Sequence, residues 1–198
     1  MHKTAEVPRT TAVRQERHDA LGSGAHDALF AGAGVKLADR VLDVGCGTGA
    51  TTRIAARLAA RGHVVGVDTD APLLRSARKR TDEEKIRNAA YMQADAEVHP
   101  FPRAGYDVVV SRGAVMFFTD PVAGFGNLWR TLLPGGRLAF VCPRSLSDPD
   151  RIREILRSYE NITVRPVPVA TAWRGDTTDT GGGRPRGDVW LVTAKRPR

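Results

Sequence analysis

The chain is short of cysteine, with Cys46 and Cys142 the only two in 198 residues. Each sits in or beside an apolar run, and no CxxC pair or cysteine–histidine cluster accompanies them. A metal site and a disulfide framework therefore have no support, and both cysteines read as small buried hydrophobes. Long apolar runs are missing as well: none approaches the roughly 20 residues that a membrane-spanning helix needs. The opening residues, Met1-His2-Lys3-Thr4-Ala5-Glu6-Val7-Pro8, hold no apolar stretch of the kind found in a secretory leader. A cytoplasmic location is the expectation that follows.

Negative charge is in deficit. Against 30 Lys and Arg stand 22 Asp and Glu, a formal net charge of +8. Such a surplus can mark a nucleic-acid binder. Here the cations are mostly arginines scattered through predicted helices, which reads as a solvated surface. Only the end of the chain concentrates them, at Arg184, Arg186, Lys195, Arg196 and Arg198. Nucleic acid is accordingly not the expected partner.

What is present is an alternation of short apolar runs with helical patterns. Arg40–Val44, His63–Asp68, Ala89–Asp95, Tyr106–Ser111 and Arg137–Val141 read as strands. Helices are predicted over Ala50–Arg61, closed by Gly62, and over Ala71–Lys85, with Pro72 in its first turn. A further helix over Pro121–Leu133 is stopped by Pro134-Gly135-Gly136, and another covers Asp148–Tyr159. Two last strands, Ile162–Val169 and Asp188–Ala194, have only a Gly/Thr/Asp/Arg-rich link between them and so are expected to run antiparallel. Residues 18–33 suggest a short helix weakened by Gly22 and Gly24. The strands are near-continuous apolar runs, as a parallel sheet covered on both faces requires. The fold class is α/β: a Rossmann-like, doubly wound, mostly parallel seven-stranded sheet with an antiparallel last strand, in one domain (35–198) preceded by a helical segment (1–34).

Chemistry concentrates in Val41-Leu42-Asp43-Val44-Gly45-Cys46-Gly47-Thr48-Gly49, where a strand turns through glycines into a helix. Glycine lets the backbone turn sharply and approach a ligand, and the helix start behind it offers unpaired N–H groups. A dehydrogenase fingerprint would place its third glycine where Ala50 stands. An acid at position 43 would also repel a pyrophosphate, whereas a cofactor bearing an ammonium and a sulfonium tolerates it.

VLDVGCGTG resembles the first motif of the class I S-adenosylmethionine-dependent methyltransferases. Asp68 ends the second strand, in Val64-Val65-Gly66-Val67-Asp68, and Gln93-Ala94-Asp95-Ala96 ends the third. The turn Leu132-Leu133-Pro134-Gly135-Gly136-Arg137-Leu138 also matches the family. Residues 15–22, Ser111-Arg112 and Val115–Pro121 are similar to a small-molecule branch, the ubiquinone/menaquinone-type methyltransferases met in bacterial secondary metabolism. The resemblance implies S-adenosylmethionine as cofactor, held by Asp43, Gly45, Cys46, Gly47, Thr48, Gly49, Asp68, Thr69, Asp95, Ala96 and Ser111. Asp68 would take the ribose hydroxyls and Asp95 the adenine amino group. It also implies a helical N-terminal segment over the active site, methyl transfer to an O, N or C atom of a small organic acceptor, and no metal. His18 is the candidate base and Arg112 a candidate contact to substrate or cofactor.

Plainer readings stand beside these. Asp43 could cap the glycine turn, Asp68 could be an ordinary strand-end acid, and Asp95 could serve the turn into His99-Pro100-Phe101-Pro102. His18 and His26, each a lone histidine on a weak helix, could be surface or capping residues, His99 reads as a loop residue, and Arg112 could simply cover the sheet end. Two departures from the branch stand out. Val141–Ser147 runs directly into Asp148-Pro149-Asp150 and leaves no room for the branch's helical lid, and Arg112-Gly113 replaces its aromatic–glycine pair. A homodimer or partner subunit could complete such a site. The rival functions are an RNA- or DNA-directed methyltransferase and a cofactor-binding protein without methyl transfer, either a degenerate subunit or a cyclase.

Overall fold

The structure is a computed structural model that describes residues 22–144, 148–168 and 189–198. Seven strands form one sheet: β1 (Arg40–Val44), β2 (His63–Asp68), β3 (Ala89–Gln93), β4 (Tyr106–Arg112), β5 (Leu132–Pro143), β6 (Glu160–Val167) and β7 (Val189–Lys195). Their order is β3-β2-β1-β4-β5-β7-β6. Strands β1 to β5 pair in parallel, and β7 lies antiparallel between β5 and β6. The sheet is thus the mostly parallel, seven-stranded one with a reversed last strand that the apolar runs imply.

Five α-helices are described: α1 (Gly22–Ala33), α2 (Ala50–Leu58), α3 (Ala71–Glu83), α4 (Pro121–Thr131) and α5 (Pro149–Ile155). A 3₁₀ turn spans Val115–Phe117. The starts of α3, α4 and α5 share one device. Asp70, Asp120 and Asp148 each accept a backbone N–H of the first turn, and each is followed within two residues by proline.

Several ends differ from the sequence expectation. Helix α3 stops at Glu83 because Lys85 turns left-handed, at φ 55°. Helix α2 closes at Ala59, whose N–H donates to the Ala55 carbonyl. Gly62 lies beyond that end and is needed for a different reason: a Cβ there would meet the Asp39 carbonyl oxygen at 2.0 Å. Strand β3 ends two residues early, where the Asp95 carbonyl accepts the Val98 and His99 N–H groups. The largest change is at α4, which ends at Thr131. Leu132 to Gly136, expected as helix end and turn, belong to β5. Leu132 pairs with Tyr106 across a register shift, and Gly135 and Gly136 exchange backbone hydrogen bonds with Arg196. The interrupted helix expected over 18–33 is continuous from Gly22. Ala25, Leu29 and Ala33, at i, i+4 and i+8, are fully buried on β4, β5 and β7, and that burial outweighs glycine's propensity penalty.

Core residues divide between the two faces of the sheet. One face is covered by α1 and α2 through alanines, Leu29 and the valines of β1, β2 and β4. On the other, Phe125 and Leu128 of α4 and Leu156 at the end of α5 pack with Phe101 and with Phe140 of β5.

Candidate functional site

The turn after β1 is built from residues that only glycine can supply. Gly45, Gly47 and Gly49 have φ of 70°, 52° and 78°. Any residue with a Cβ loses about 1–2 kcal/mol in that region. Space is also closed: a Cβ on Gly45 would lie 2.0 Å from the Ala114 Cβ. The N–H groups of Gly45 and Cys46 donate to the Val67 carbonyl at 2.8 and 3.0 Å, which locks the turn onto the end of β2.

That lock brings Asp68 to the turn. Its Oδ2 accepts the Gly47 N–H at 2.9 Å and its Oδ1 accepts the Asp70 N–H at 3.0 Å. Residues far apart in sequence thus form one acidic cradle at the carboxyl edge of the sheet, where open α/β sheets bind ligands.

Asp43 lies one layer below, fully buried in β1. Its Oδ2 accepts the Thr52 hydroxyl at 2.6 Å. Its Oδ1 makes no hydrogen bond among the described residues, although it is buried. Burial pushes the carboxyl up to about 7, against the opposing influence of the Thr52 hydroxyl and the Arg112 guanidinium. Burial and the nearby Asp43 and Asp68 carboxylates also push the Cys46 thiol far up, so it is a neutral filler of the turn and no nucleophile.

The remaining sequence candidates are placed as follows. Arg112, the last residue of β4, is buried beside Asp43. Ser111 is fully buried, and its hydroxyl donates to the Val44 carbonyl at 2.9 Å, tying β4 to β1 beneath the turn. Thr48 gives its carbonyl to Arg53, and Thr69 gives its carbonyl to Gln93. Asp95 is exposed past the end of β3, and its Oδ1 accepts the Glu97 N–H at 3.0 Å, so the turn chemistry weighed for it is realised. Ala96 is buried, with its carbonyl on Asn127 Nδ2. His18 lies outside the described residues. His26 sits on α1 with Nε2 3.3 Å from the Thr51 hydroxyl, at the first turn of α2.

Sequence reasoning missed Thr52, Arg53 and Tyr91. Thr52 anchors Asp43. Arg53 bonds the Thr48 carbonyl at 2.8 Å and pairs with Glu84 at 2.9 Å, so it braces the glycine loop from behind. Tyr91 closes the space beside Gly49 and bonds Thr81 at 2.7 Å. A hydroxyl residue one turn into the helix after such a motif was the available signal for Thr52. The other two depend on strand and helix neighbours that no local pattern reveals.

The residues present suit a ligand that offers a cation and a hydroxyl pair. A buried carboxylate oxygen without a partner asks for a donor. The Asp68 carboxylate, largely buried against the glycine turn, keeps further lone pairs that can accept from a diol, and the absent Cβ atoms leave room for a ligand against the backbone. S-adenosylmethionine has those groups. Among the described residues no group of His, Cys, Asp or Glu is disposed to hold a metal ion.

Fold and cradle together define an adenosyl-cofactor domain of the Rossmann-like kind. The sequence profile of the methyltransferase domain family matches residues 42–140, and the chain belongs to that family. It is 38% identical over 106 residues to the aklanonic acid methyltransferase DauC of Streptomyces sp. strain C5, covering 53% of this chain and 48% of that protein. It is 32% identical over 145 residues to the ubiquinone/menaquinone biosynthesis C-methyltransferase UbiE of Vibrio cholerae, covering 70% of this chain and 56% of that protein. The chain therefore spans about half the length of these relatives. The fold matches a SAM-dependent methyltransferase from Aquifex aeolicus with a TM-score of 0.69 at 17% identity, covering 93% of this chain and 95% of that one.

Proposed function

We propose that this chain binds S-adenosylmethionine and transfers its methyl group to an O, N or C atom of a small organic acceptor. The observation that carries the reading is the cradle of Asp43, Asp68 and the positive-φ glycine turn. The bound cofactor supplies an activated methyl on a sulfonium cation, and the protein's task is placement. Asp68 would hold the ribose hydroxyls. Asp43, beneath the turn, would set its negative charge below the cofactor's amino group, with an oxygen that no described residue bonds. The loop Gly45–Gly49 lets the cofactor lie against the backbone. Arg112 opposes the protonation that burial favours at Asp43. Asp95 and Ala96 border the adenine side, and Thr48, Thr69 and Ser111 support the walls. Where the acceptor carries a proton, His18 removes it. Of the N-terminal segment, α1 lies against the start of α2 through His26 and Thr51, at the edge of the sheet that carries the glycine turn.

The test is calorimetric titration with S-adenosylmethionine and its demethylated product. The wild-type chain is expected to bind both below about 100 µM. Asp68→Ala is expected to weaken both by at least about tenfold, since charge-assisted hydrogen bonds are worth about 1.5–3 kcal/mol. Unchanged affinity in that variant overturns the ribose assignment.

A further inference from the structure

The face of the sheet away from α1 holds a cavity that the cofactor cradle does not use. Its volume is about 300 Å³, and it lies among the 3₁₀ turn, α4, α5 and the carboxyl end of β5. Its wall is a phenylalanine stack. Phe118 meets Phe125 edge-on at 5.7 Å, and Phe125 meets Phe140 at 5.3 Å. Ile152 and Ile155 of α5 close the other side.

The cavity is open to solvent on one side, with phenylalanine and isoleucine side chains as its floor and Thr119, Asp148 and Arg151 among its polar lining. Such a floor takes the apolar part of a ligand out of water while its polar part meets the polar lining. The cavity stands at the small end of ligand pockets, which limits that apolar part to about one or two rings.

The rim supplies the other half of the specificity. Asp148 and Arg151 are the charged residues that line the cavity. Asp148 Oδ1 is engaged by the Asp150 and Arg151 N–H groups at 2.9 and 3.1 Å. The other acids nearby hold backbone N–H groups or Arg153, and none pairs with Arg151 among the described residues. Asp120 caps α4, Glu97 receives the Thr119 and Asp120 N–H groups at 2.7 Å each, and Asp150 pairs with Arg153 at 2.9 Å. Among the described residues the Arg151 guanidinium has no such commitment, and it is exposed at the mouth.

We propose that this cavity binds a compact apolar organic acid, with its ring system against Phe118, Phe125 and Phe140 and its carboxylate on Arg151. Ala114, which precedes the 3₁₀ turn, fills the space in front of Gly45, and its neighbour Val115 lines the cavity, so cavity and glycine turn are one residue apart along the chain. Identifying the acid as the methyl acceptor rests on the transferase reading above; the cavity's preference does not.

The experiment is titration of the full chain with 1-naphthoate and with the neutral 1-naphthalenemethanol, each with and without S-adenosylhomocysteine. The acid is expected to bind about tenfold tighter than the alcohol, the worth of one charge-assisted contact. Arg151→Gln should bring the two level. Ile155→Trp, which fills the cavity, should remove both, and Met116→Trp serves if that variant fails to fold. Equal binding of acid and alcohol, binding that survives the filled cavity, or no binding overturns the proposal. Naphthoate binding without any affinity for S-adenosylhomocysteine sustains the cavity and overturns the transferase reading.

Discussion

Asp43 shows function opposing stability within one side chain. In the unfolded chain its carboxyl titrates near its ordinary 3.8, and in the folded protein near 7. Between those values the folded protein holds a proton that the unfolded chain has released. Stability therefore falls as pH rises through that window, by on the order of 4 kcal/mol in total, and the loss is complete above pH 7. Asp43→Asn has no such titration. Urea unfolding of the two proteins from pH 4 to pH 8 should show their stability difference moving in favour of Asp43→Asn as pH rises. A difference that does not change with pH removes this account. The carboxylate lost in that variant is also the proposed partner of a cofactor ammonium. Wild-type affinity for S-adenosylmethionine should increase from pH 6 to pH 8, and that increase should be missing in Asp43→Asn. The acid itself was legible from its place before a glycine turn. Its depth, its bond to Thr52 and its neighbour Arg112 were not, because they depend on β4 and α2 closing around β1.

At the scale of elements, glycine positions separate local rules from packing. Replacing a mid-helix glycine with alanine ordinarily gains about 1 kcal/mol. In α4 a Cβ on Gly124 would lie 2.4 Å from the Phe118 ring, which forms the cavity wall. Gly124→Ala should therefore lower the thermal midpoint instead of raising it, and should weaken naphthoate binding together with it. A raised midpoint would mean that Phe118 moves aside freely. Gly45→Ala meets both a positive φ and the Ala114 Cβ, so it should destabilise the fold by at least about 1–2 kcal/mol and abolish cofactor binding, as measured by thermal denaturation and calorimetry. Strand cores and the aspartate–proline helix starts were readable because each depends on a few adjacent residues. The end of α4 was not. Nothing local to Leu132–Gly136 says that Arg196 would pair with it from the far end of the chain.

Across the whole molecule, β7 is the piece that closes the sheet. It comes last in sequence yet lies between β5 and β6, with Leu191 and Val192 fully buried. Beyond it Arg196 bonds the Leu132 carbonyl at 2.5 Å and stacks 4.2 Å over Trp129. A chain ending at residue 188 would leave β5 and β6 without their shared partner, and its circular dichroism should show loss of cooperative unfolding. Cooperative unfolding in that shortened chain would mean that β6 can pair with β5 directly. The sequence by itself determined the alternation of strands and helices, the glycine turn with its acids, and the reversed last strand. These follow from periodicity, backbone conformation and short-range capping, which act over a few residues. Tertiary structure alone decided that Asp68 bonds Gly47, that one Asp43 oxygen is bonded by none of the described residues, that α1 survives its glycines, and that a cavity lined by Arg151 opens beyond the turn. Each of these depends on contacts between residues distant in the chain, whose free energy is set by burial and by the closeness of packing across the sheet.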